Sequence, residues 1–232
     1  MLIDFSFSNF RSFRDEQSFS MTRDERFTES NDSRQSPITA IYGANASGKS
    51  NFLKAMCAMR SMVTNSYSQG DANSDILREP FLLRENPFEE PSMFFLEFTA
   101  ENHLKYQYWF RYNIKHILEE ELTFFKDMGG RLSTHSSLLF SRTGNDEVKF
   151  GATFKGPRTQ VRKTVGLRPN ALLLSAAAAA GIECVQPVFS FFQNDVAYCV
   201  ANAFEQEQPI LLDQFKNKTP FSKHLTSLIK YA

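Results

Sequence analysis

Apolar and polar residues alternate over several short stretches of the chain, and this pattern predicts β-strands buried on one face. In residues 2–10 the apolar residues Ile3, Phe5 and Phe7 alternate with polar ones, and residues 17–21 alternate again as a hairpin partner. Further aromatic or apolar runs occupy residues 80–83, 91–98, 104–112, 117–125 and 137–142. Turn sequences at residues 100–102, 127–130 and 143–146 separate them at hairpin spacing. An antiparallel meander is therefore expected.

A different pattern surrounds residues 43–50. The preceding run, residues 38–42, is short, apolar and β-branched, which predicts a buried parallel strand. Residues 51–62 carry apolar side chains at three- and four-residue steps together with alanines, which predicts a helix. A strand, a glycine-containing loop and a helix therefore follow one another along the chain.

The loop itself reads Gly-Ala-Asn-Ala-Ser-Gly-Lys-Ser and matches the phosphate-loop pattern G-x-x-x-x-G-K-[ST]. Gly43 and Gly48 allow a tight turn in which backbone N–H groups converge on phosphate at the positive end of a helix dipole. Lys49, the candidate catalytic residue, would reach the β- and γ-phosphates, and the Ser50 hydroxyl would bind Mg²⁺. ATP and Mg²⁺ are the predicted cofactors. The candidate nucleotide-binding residues in this segment are Gly43, Ala44, Asn45, Ala46, Ser47, Gly48, Lys49, Ser50 and Asn51.

The amino-acid composition excludes few classes of protein function. The 26 basic residues balance 26 acidic ones, so the net charge gives no reason to expect nucleic acid or an anionic membrane as partner, and nucleic-acid binding stays open but unsupported. Cys57, Cys184 and Cys199 lack metal-site spacing and are too few for a secreted disulfide framework. The N-terminus lacks a signal-peptide pattern, and the apolar run at residues 171–185 is too short to span a bilayer. We predict a cytoplasmic protein with no membrane partner.

Two motifs together carry a family resemblance. Asn-Phe-Arg-Ser at residues 9–12 and Gly-Ala-Asn-Ala-Ser-Gly-Lys-Ser-Asn at residues 43–51 resemble the start of an ABC-class ATPase head. More narrowly, the chain resembles the AAA-labelled, SMC-like ATP-binding proteins of bacteria, which are akin to the overcoming-lysogenization-defect nucleases and common among antiphage systems. In such heads the arginine of the first motif, here Arg11, lies near the nucleotide and helps couple it to dimer contacts.

The resemblance implies an α/β P-loop NTPase fold of the ABC/SMC-head type with an antiparallel β lobe. Within a single head domain, residues 1–65 would hold the hairpin, the phosphate loop and its helix, and residues 66–165 the lobe. Residues 166–232 would form a core strand, at 168–175, and a helical segment around 185–200. Only the phosphate loop is a specific signature of the family. The match to the lobe rests on the general character of its apolar and aromatic runs.

Several expected features of the family are missing. No apolar strand ends in an Asp-Glu pair; the nearest sequence, residues 209–214, offers Asp213 for Mg²⁺ but has Gln214 in place of the catalytic acid. No serine- and glycine-rich signature segment precedes it, alanines occupy residues 176–180 where the family has a glutamine loop, and Ala46 stands where glycine is common. The helical pattern of residues 221–232 also stops without a cap. We therefore expect the chain to be the N-terminal part of a longer ATPase.

Two other patterns favour ordinary structural roles. The aromatic strand at residues 104–112, interleaved with Lys and Arg, resembles a base-stacking surface, but half-buried strands favour aromatics in any case. The three acids Glu119, Glu120 and Glu121 point to different faces of a strand, which predicts a solvated stretch in preference to a metal site.

The implied mechanism is ATP-driven engagement of two heads as a homodimer, opened by hydrolysis, which would control an effector nuclease or toxin during phage infection. Two alternatives from other classes remain. A phosphotransferase would use the loop to present ATP to a small acceptor, although the long aromatic lobe argues against it. A non-hydrolysing scaffold would hold ATP only for stability, which the missing acidic pair favours.

Overall fold

The computed structural model describes residues 1–22, 36, 38–145 and 147–197. Met1–Val196 form one compact unit. The predictions for the acidic segment at residues 209–214, for the helix at 221–232 and for Cys199 lie outside the described residues. The proposed division of the chain at residues 65 and 165 stays a prediction.

An antiparallel sheet of seven strands forms one layer of the unit, in the spatial order β2-β1-β3-β4-β5-β6-β7. Its strands are β1 (Leu2–Ser8), β2 (Gln17–Ser20), β3 (Ser92–Thr99), β4 (Lys105–Tyr112), β5 (Ile117–Asp127), β6 (Leu132–Thr143) and β7 (Glu147–Phe150). The predicted hairpin and meander are thus confirmed. Because β1 also pairs with β3, with Phe5 opposite Leu96, the hairpin and the lobe share one sheet. The run at residues 80–83 is not a strand, and its Leu82 and Leu83 are exposed.

Helices cover one face of this sheet. They are α1 (Lys49–Asn65), α2 (Arg158–Leu167), α3 (Leu173–Ala179) and α4 (Gln186–Ser190), with a 3₁₀ turn at Glu183–Val185 and a π-helical turn at Phe191–Asp195. The predicted helices after the phosphate loop and after residue 185 are therefore confirmed as far as the described residues extend. Within those residues, no helix combines the length and apolar character needed to cross a membrane.

Aromatic side chains fill the space between the two layers. Phe52 of α1 packs edge-on against Phe5 at 5.8 Å, and Phe191 stacks on Phe98 at 4.1 Å between ring centroids. Tyr108 and Phe110 of β4 are fully buried in this core. The alternating aromatics of β4 are thus core residues, as the strand pattern predicts, and those rings have no surface free for stacking bases.

Two predicted strands are absent. Residues 38–42 are not in a strand, and Ile38 and Tyr42 are 81% and 90% exposed. A parallel strand is stable when neighbouring strands and helices bury it on both faces, and within the described part of the chain no strand pairs with this segment. Residues 168–175 were expected to form a core strand, but α3 begins at Leu173 instead. A short apolar run buried on all sides fits a helix as well as a strand, and here a capping contact selects the helix.

That contact comes from Glu120 of β5, which corrects the expectation of a solvated acidic stretch. Glu120 is only 1% exposed. Its carboxylate accepts hydrogen bonds from the backbone N–H groups of Leu173 and Leu174, at 2.6 and 2.9 Å, and from the Tyr108 hydroxyl at 2.9 Å. The carboxylate therefore satisfies donors in the first turn of α3 that have no partner within the helix.

Arg142 of β6 supplies the opposite charge, 3.9 Å from Glu120, and both side chains are wholly inaccessible to solvent. Its guanidinium also donates to the carbonyl oxygens of Ala171, at 2.7 Å, Pro169, at 3.1 Å, and Gly144, at 2.8 Å. Burial raises the pKa of Glu120, while Arg142 and the N–H donors act in the opposite direction. Burial, reinforced by the adjacent Glu120, holds the pKa of Tyr108 well above its usual value.

We expect Glu120→Ala to lower the free energy of unfolding by about 3–5 kcal/mol, because it leaves the Arg142 charge and two helix N–H groups buried without their acceptor. Urea unfolding followed by circular dichroism measures the change. The matched control is Glu119→Ala, one residue away, whose ion pair with Arg111 is partly exposed and which should cost at most about 1 kcal/mol. Equal losses in the two variants would contradict the structural role given to Glu120.

Candidate functional site

The predicted phosphate loop lies at the N-terminus of α1. Residues 43–47 are exposed, and α1 begins at Lys49 directly after Gly48, whose φ of 98° is in the left-handed region. Ala46 also has a positive φ, 63°, which costs an alanine roughly 1 kcal/mol compared with glycine. The loop therefore turns sharply into the helix at Gly48, and its backbone is open to solvent.

Positive charge is concentrated at this turn. The Lys49 ammonium folds back over the loop and donates to the carbonyl oxygens of Gly43 and Ala44, at 2.7 and 2.6 Å. The first turn of α1 contains no acidic residue that would repel an anion at the positive end of its dipole. Ser50, in that first turn, is exposed, so its hydroxyl is accessible.

These features fit a nucleotide phosphate with its Mg²⁺. The loop combines accessible backbone, a lysine ammonium and a helix N-terminus, which is the donor set that phosphate requires. The Ser50 hydroxyl is an oxygen ligand of the kind that Mg²⁺ prefers. Among the described residues, no group of three or more His, Cys, Asp and Glu side chains could hold a metal ion. The assignment of residues 43–51 to nucleotide binding stays a prediction.

The turn after β1 packs against the phosphate loop. The Phe13 ring packs edge-on against Phe7 at 5.3 Å between centroids. The same ring lies against Gly48 so closely that a Cβ atom at that position would be 2.6 Å from Phe13 Cζ. Glycine is therefore favoured at residue 48 both by its φ angle and by this contact.

The structure also brings Arg11 to the phosphate-loop helix. Its guanidinium forms a two-point ion pair with the Glu79 carboxylate, at 2.6 and 2.8 Å, and lies 3.4 Å from the side-chain oxygen of Asn51. The Asn51 amide in turn donates to Ser12 Oγ at 3.0 Å. Arg11 and Asn51, both predicted site residues, are thus neighbours, although they are far apart in sequence.

Sequence reasoning missed two residues that organise this region. Glu79 holds Arg11, yet no local pattern marks it, because its partner is 68 residues away. Asn9 is 3% exposed, and its side chain accepts from Phe81 N at 3.0 Å and donates to Glu90 O at 2.8 Å. The position of Asn9 in the Asn-Phe-Arg-Ser motif was the sequence signal that could have identified it.

We expect Gly48→Ala to lower the free energy of unfolding by about 1–3 kcal/mol, since the new methyl group meets the Phe13 ring and the φ angle is strained for alanine. Thermal and urea unfolding measure this. Gly166→Ala in α2 is the control, because a Cβ atom there meets nothing within 4 Å. Removing a helical glycine should leave stability unchanged or raise it by up to about 1 kcal/mol. A Gly48→Ala protein as stable as the Gly166→Ala protein would contradict the close contact.

The chain matches the model of a known protein family. The model of the family described as "AAA domain, putative AbiEii toxin, Type IV TA system" matches residues 38–163, which is more than half of the 232-residue chain. No curated protein matches the chain. The matched residues include the phosphate loop, α1 and strands β3 to β7. The chain therefore belongs to this AAA-domain family of P-loop ATPases.

Proposed function

We propose that the chain is the ATP-binding part of an ABC/SMC-like ATPase head of the type found in overcoming-lysogenization-defect proteins. The observation that carries this proposal is the folded phosphate loop, with the Lys49 ammonium on the Gly43 and Ala44 carbonyls at the start of α1. Membership of the AAA-domain family supports ATP as the ligand. The place of Arg11 beside Asn51 supports the narrower resemblance, because the arginine motif then lies against the nucleotide-binding helix.

The residues of the loop have separate roles in this proposal. The backbone N–H groups of residues 43–50 bind and orient the phosphates, and the Lys49 ammonium stabilises negative charge that develops on the transferred phosphoryl group. The Ser50 hydroxyl would hold Mg²⁺, which would neutralise charge on the phosphate oxygens. No acidic residue lies in the loop or in the first turn of α1, so another part of the assembled head would supply the group that activates water.

ATP-dependent pairing of two heads is the proposed conformational cycle. Because residues 43–47 are exposed, a nucleotide bound there would present its phosphates to a second protomer. In ABC-type heads the partner's signature segment covers the nucleotide, so that ATP binding closes a homodimer and hydrolysis opens it. Arg11, tied both to Asn51 and to Glu79, would transmit the nucleotide state to the dimer surface.

The output of this cycle is proposed to be control of an effector nuclease or toxin in the bacterial cytoplasm during phage infection. The description of the matching family names a putative toxin and a type IV toxin–antitoxin system. A two-state ATPase suits such a role, since it changes a partner's state without producing a metabolite.

We expect Lys49→Ala to reduce Mg-ATP turnover by about 100-fold or more, because one preorganised charge on the transferred phosphoryl group is lost. Turnover is measured in the full-length protein by phosphate release. Lys54→Ala removes the same charge from the same helix one turn beyond the loop, and it should retain turnover within about twofold. Similar activity in the Lys49→Ala and Lys54→Ala proteins would show that the loop does not carry the reaction.

Turnover per head should rise with protein concentration if two heads share each nucleotide, and Lys49→Ala should abolish this rise. Phosphate release over a range of protein concentrations, with size-exclusion chromatography in the presence and absence of ATP, measures it. Strictly linear kinetics from a monomer would contradict the dimer cycle. Tight binding without turnover would identify a scaffold, and turnover that requires an added acceptor would identify a phosphotransferase.

A further inference from the structure

Basic residues are concentrated on helix α2 and in the segments next to it. Residues 148–182 contain six basic residues and no acidic one, whereas the rest of the chain has 20 basic and 26 acidic residues. Four of the six form an exposed group that we call the basic face: Lys155, Arg158, Arg162 and Lys163. We infer that the basic face is a docking surface for a short acidic segment, a run rich in Asp and Glu, on a partner protein. This inference does not depend on the nucleotide site.

The charges of the basic face are not neutralised within the described part of the chain. None of its four side chains forms an ion pair with a carboxylate there. The other two cations of residues 148–182 are engaged elsewhere, since Lys149 pairs with Glu147 at 2.6 Å and Arg168 donates to carbonyl oxygens just after α1. The first turn of α2 also lacks an acidic residue. The basic face is therefore the part of this segment whose charge is available to an anionic partner.

Arg158 and Arg162 are held in fixed positions by neutral groups. Arg158 donates to two carbonyl oxygens in the loop after β7, at 2.8 and 3.1 Å, and Arg162 donates to the Val148 carbonyl oxygen of β7 at 3.1 Å. Both guanidiniums also lie over the Phe150 ring, at 5.9 and 5.2 Å from its centroid. Carbonyl oxygens and an aromatic ring order a guanidinium without cancelling its charge. Two arginines ordered in advance can bind carboxylates at a low cost in side-chain entropy.

The two arginines also keep hydrogen-bond donors for a ligand. In each guanidinium the Nη1 group has no acceptor among the described residues. The planar donor fork of arginine matches the two oxygens of a carboxylate, and such charge-assisted bonds are stronger than neutral ones. Four residues along a helix correspond to about 6 Å, which is close to the roughly 7 Å between alternate residues of an extended peptide. The pair therefore suits two acidic residues separated by one residue.

The extent of the basic face favours a peptide over nucleic acid. Helix α2 has ten residues and is therefore about 15 Å long. Duplex DNA carries a charge about every 1.7 Å along its axis, and proteins bind it tightly by contacting many phosphates along that axis. Outside residues 148–182 this chain has more acidic than basic residues, so it offers no surplus of cations for a longer path. A short acidic segment needs only the cations of the basic face.

The test measures binding of a defined acidic peptide to the full-length protein. Fluorescence anisotropy would use a short labelled peptide in which Glu and Ser alternate, the same peptide with Gln in place of Glu, and a labelled DNA strand. We expect the Glu peptide to bind and the Gln peptide not to bind. Arg158→Gln/Arg162→Gln should weaken binding of the Glu peptide by about tenfold, because two ion pairs are lost.

Lys126→Gln/Arg131→Gln is the matched control. It also removes two exposed cations, but from the end of β5 and the turn before β6, at the end of β6 that does not pair with β7. It should change the affinity for the Glu peptide by less than about twofold, because charges far from the basic face are screened by salt.

A second variant keeps the test decisive if the loss of both arginines disturbs the fold, which circular dichroism would reveal. Lys155→Gln/Lys163→Gln removes two exposed charges of the basic face and should weaken binding of the Glu peptide by about threefold. Unchanged affinity in the variants of the basic face, or an equal loss in the control variant, would overturn the inference. DNA that binds through the two arginines while the Glu peptide does not bind would assign the basic face to nucleic acid and would also overturn it.

Discussion

The buried carboxylate of Glu120 joins the sheet to the helical layer. It accepts hydrogen bonds from two backbone N–H groups of α3 and from the Tyr108 hydroxyl of β4, and it pairs with the charge of Arg142 from β6. Four elements, β4, β5, β6 and α3, therefore meet at this carboxylate. A buried charge of this kind is tolerated only when its partners are complete, because desolvation of each ion costs several kcal/mol. The arrangement is consequently specific: α3 must begin at Leu173, and the segment before it must lie where Arg142 reaches the Pro169 and Ala171 carbonyls.

The segment before α3 also contacts the chain just after the C-terminal end of α1, the phosphate-loop helix. The Arg168 guanidinium donates to the carbonyls of Tyr67 and Gly70, at 3.2 and 2.6 Å, just beyond the end of α1. Within the helix, Arg60 donates to Phe192 O at 3.0 Å, in the π-helical turn. Helix α1 is therefore fixed to the core along its length, so that the loop at its N-terminus projects from a rigid element, as a preorganised binding site requires.

The Asn-Phe-Arg-Ser motif acts as a connector between this helix and the segment at residues 78–90. Asn9 fixes that segment from inside the core, Arg11 binds Glu79 beside it, and Ser12 meets Asn51 of α1. Both Asn9 and Arg11 have positive φ angles, of 51° and 50°, so the motif folds into a compact turn that presents its side chains in several directions. The motif that supports the family resemblance is thus also the structural link between the phosphate-loop helix and that segment.

The sequence by itself determined the features that depend on local pattern. Alternation predicted β1, β2 and β4, and apolar or aromatic runs between turn sequences predicted β3, β5 and part of β6. Three- and four-residue spacing predicted α1, and the glycine and lysine spacing of residues 43–50 located the loop, because each of these signals lies within a few adjacent residues. Tertiary structure decided the rest. Whether residues 38–42 form a strand depends on neighbours that lie elsewhere in the chain, and the choice of helix at Leu173 depends on a carboxylate 53 residues away. Glu120 and Glu119 are equivalent in local sequence, and only the packing of α3 and Arg142 on one face of the sheet makes the first a buried cap and leaves the second near solvent.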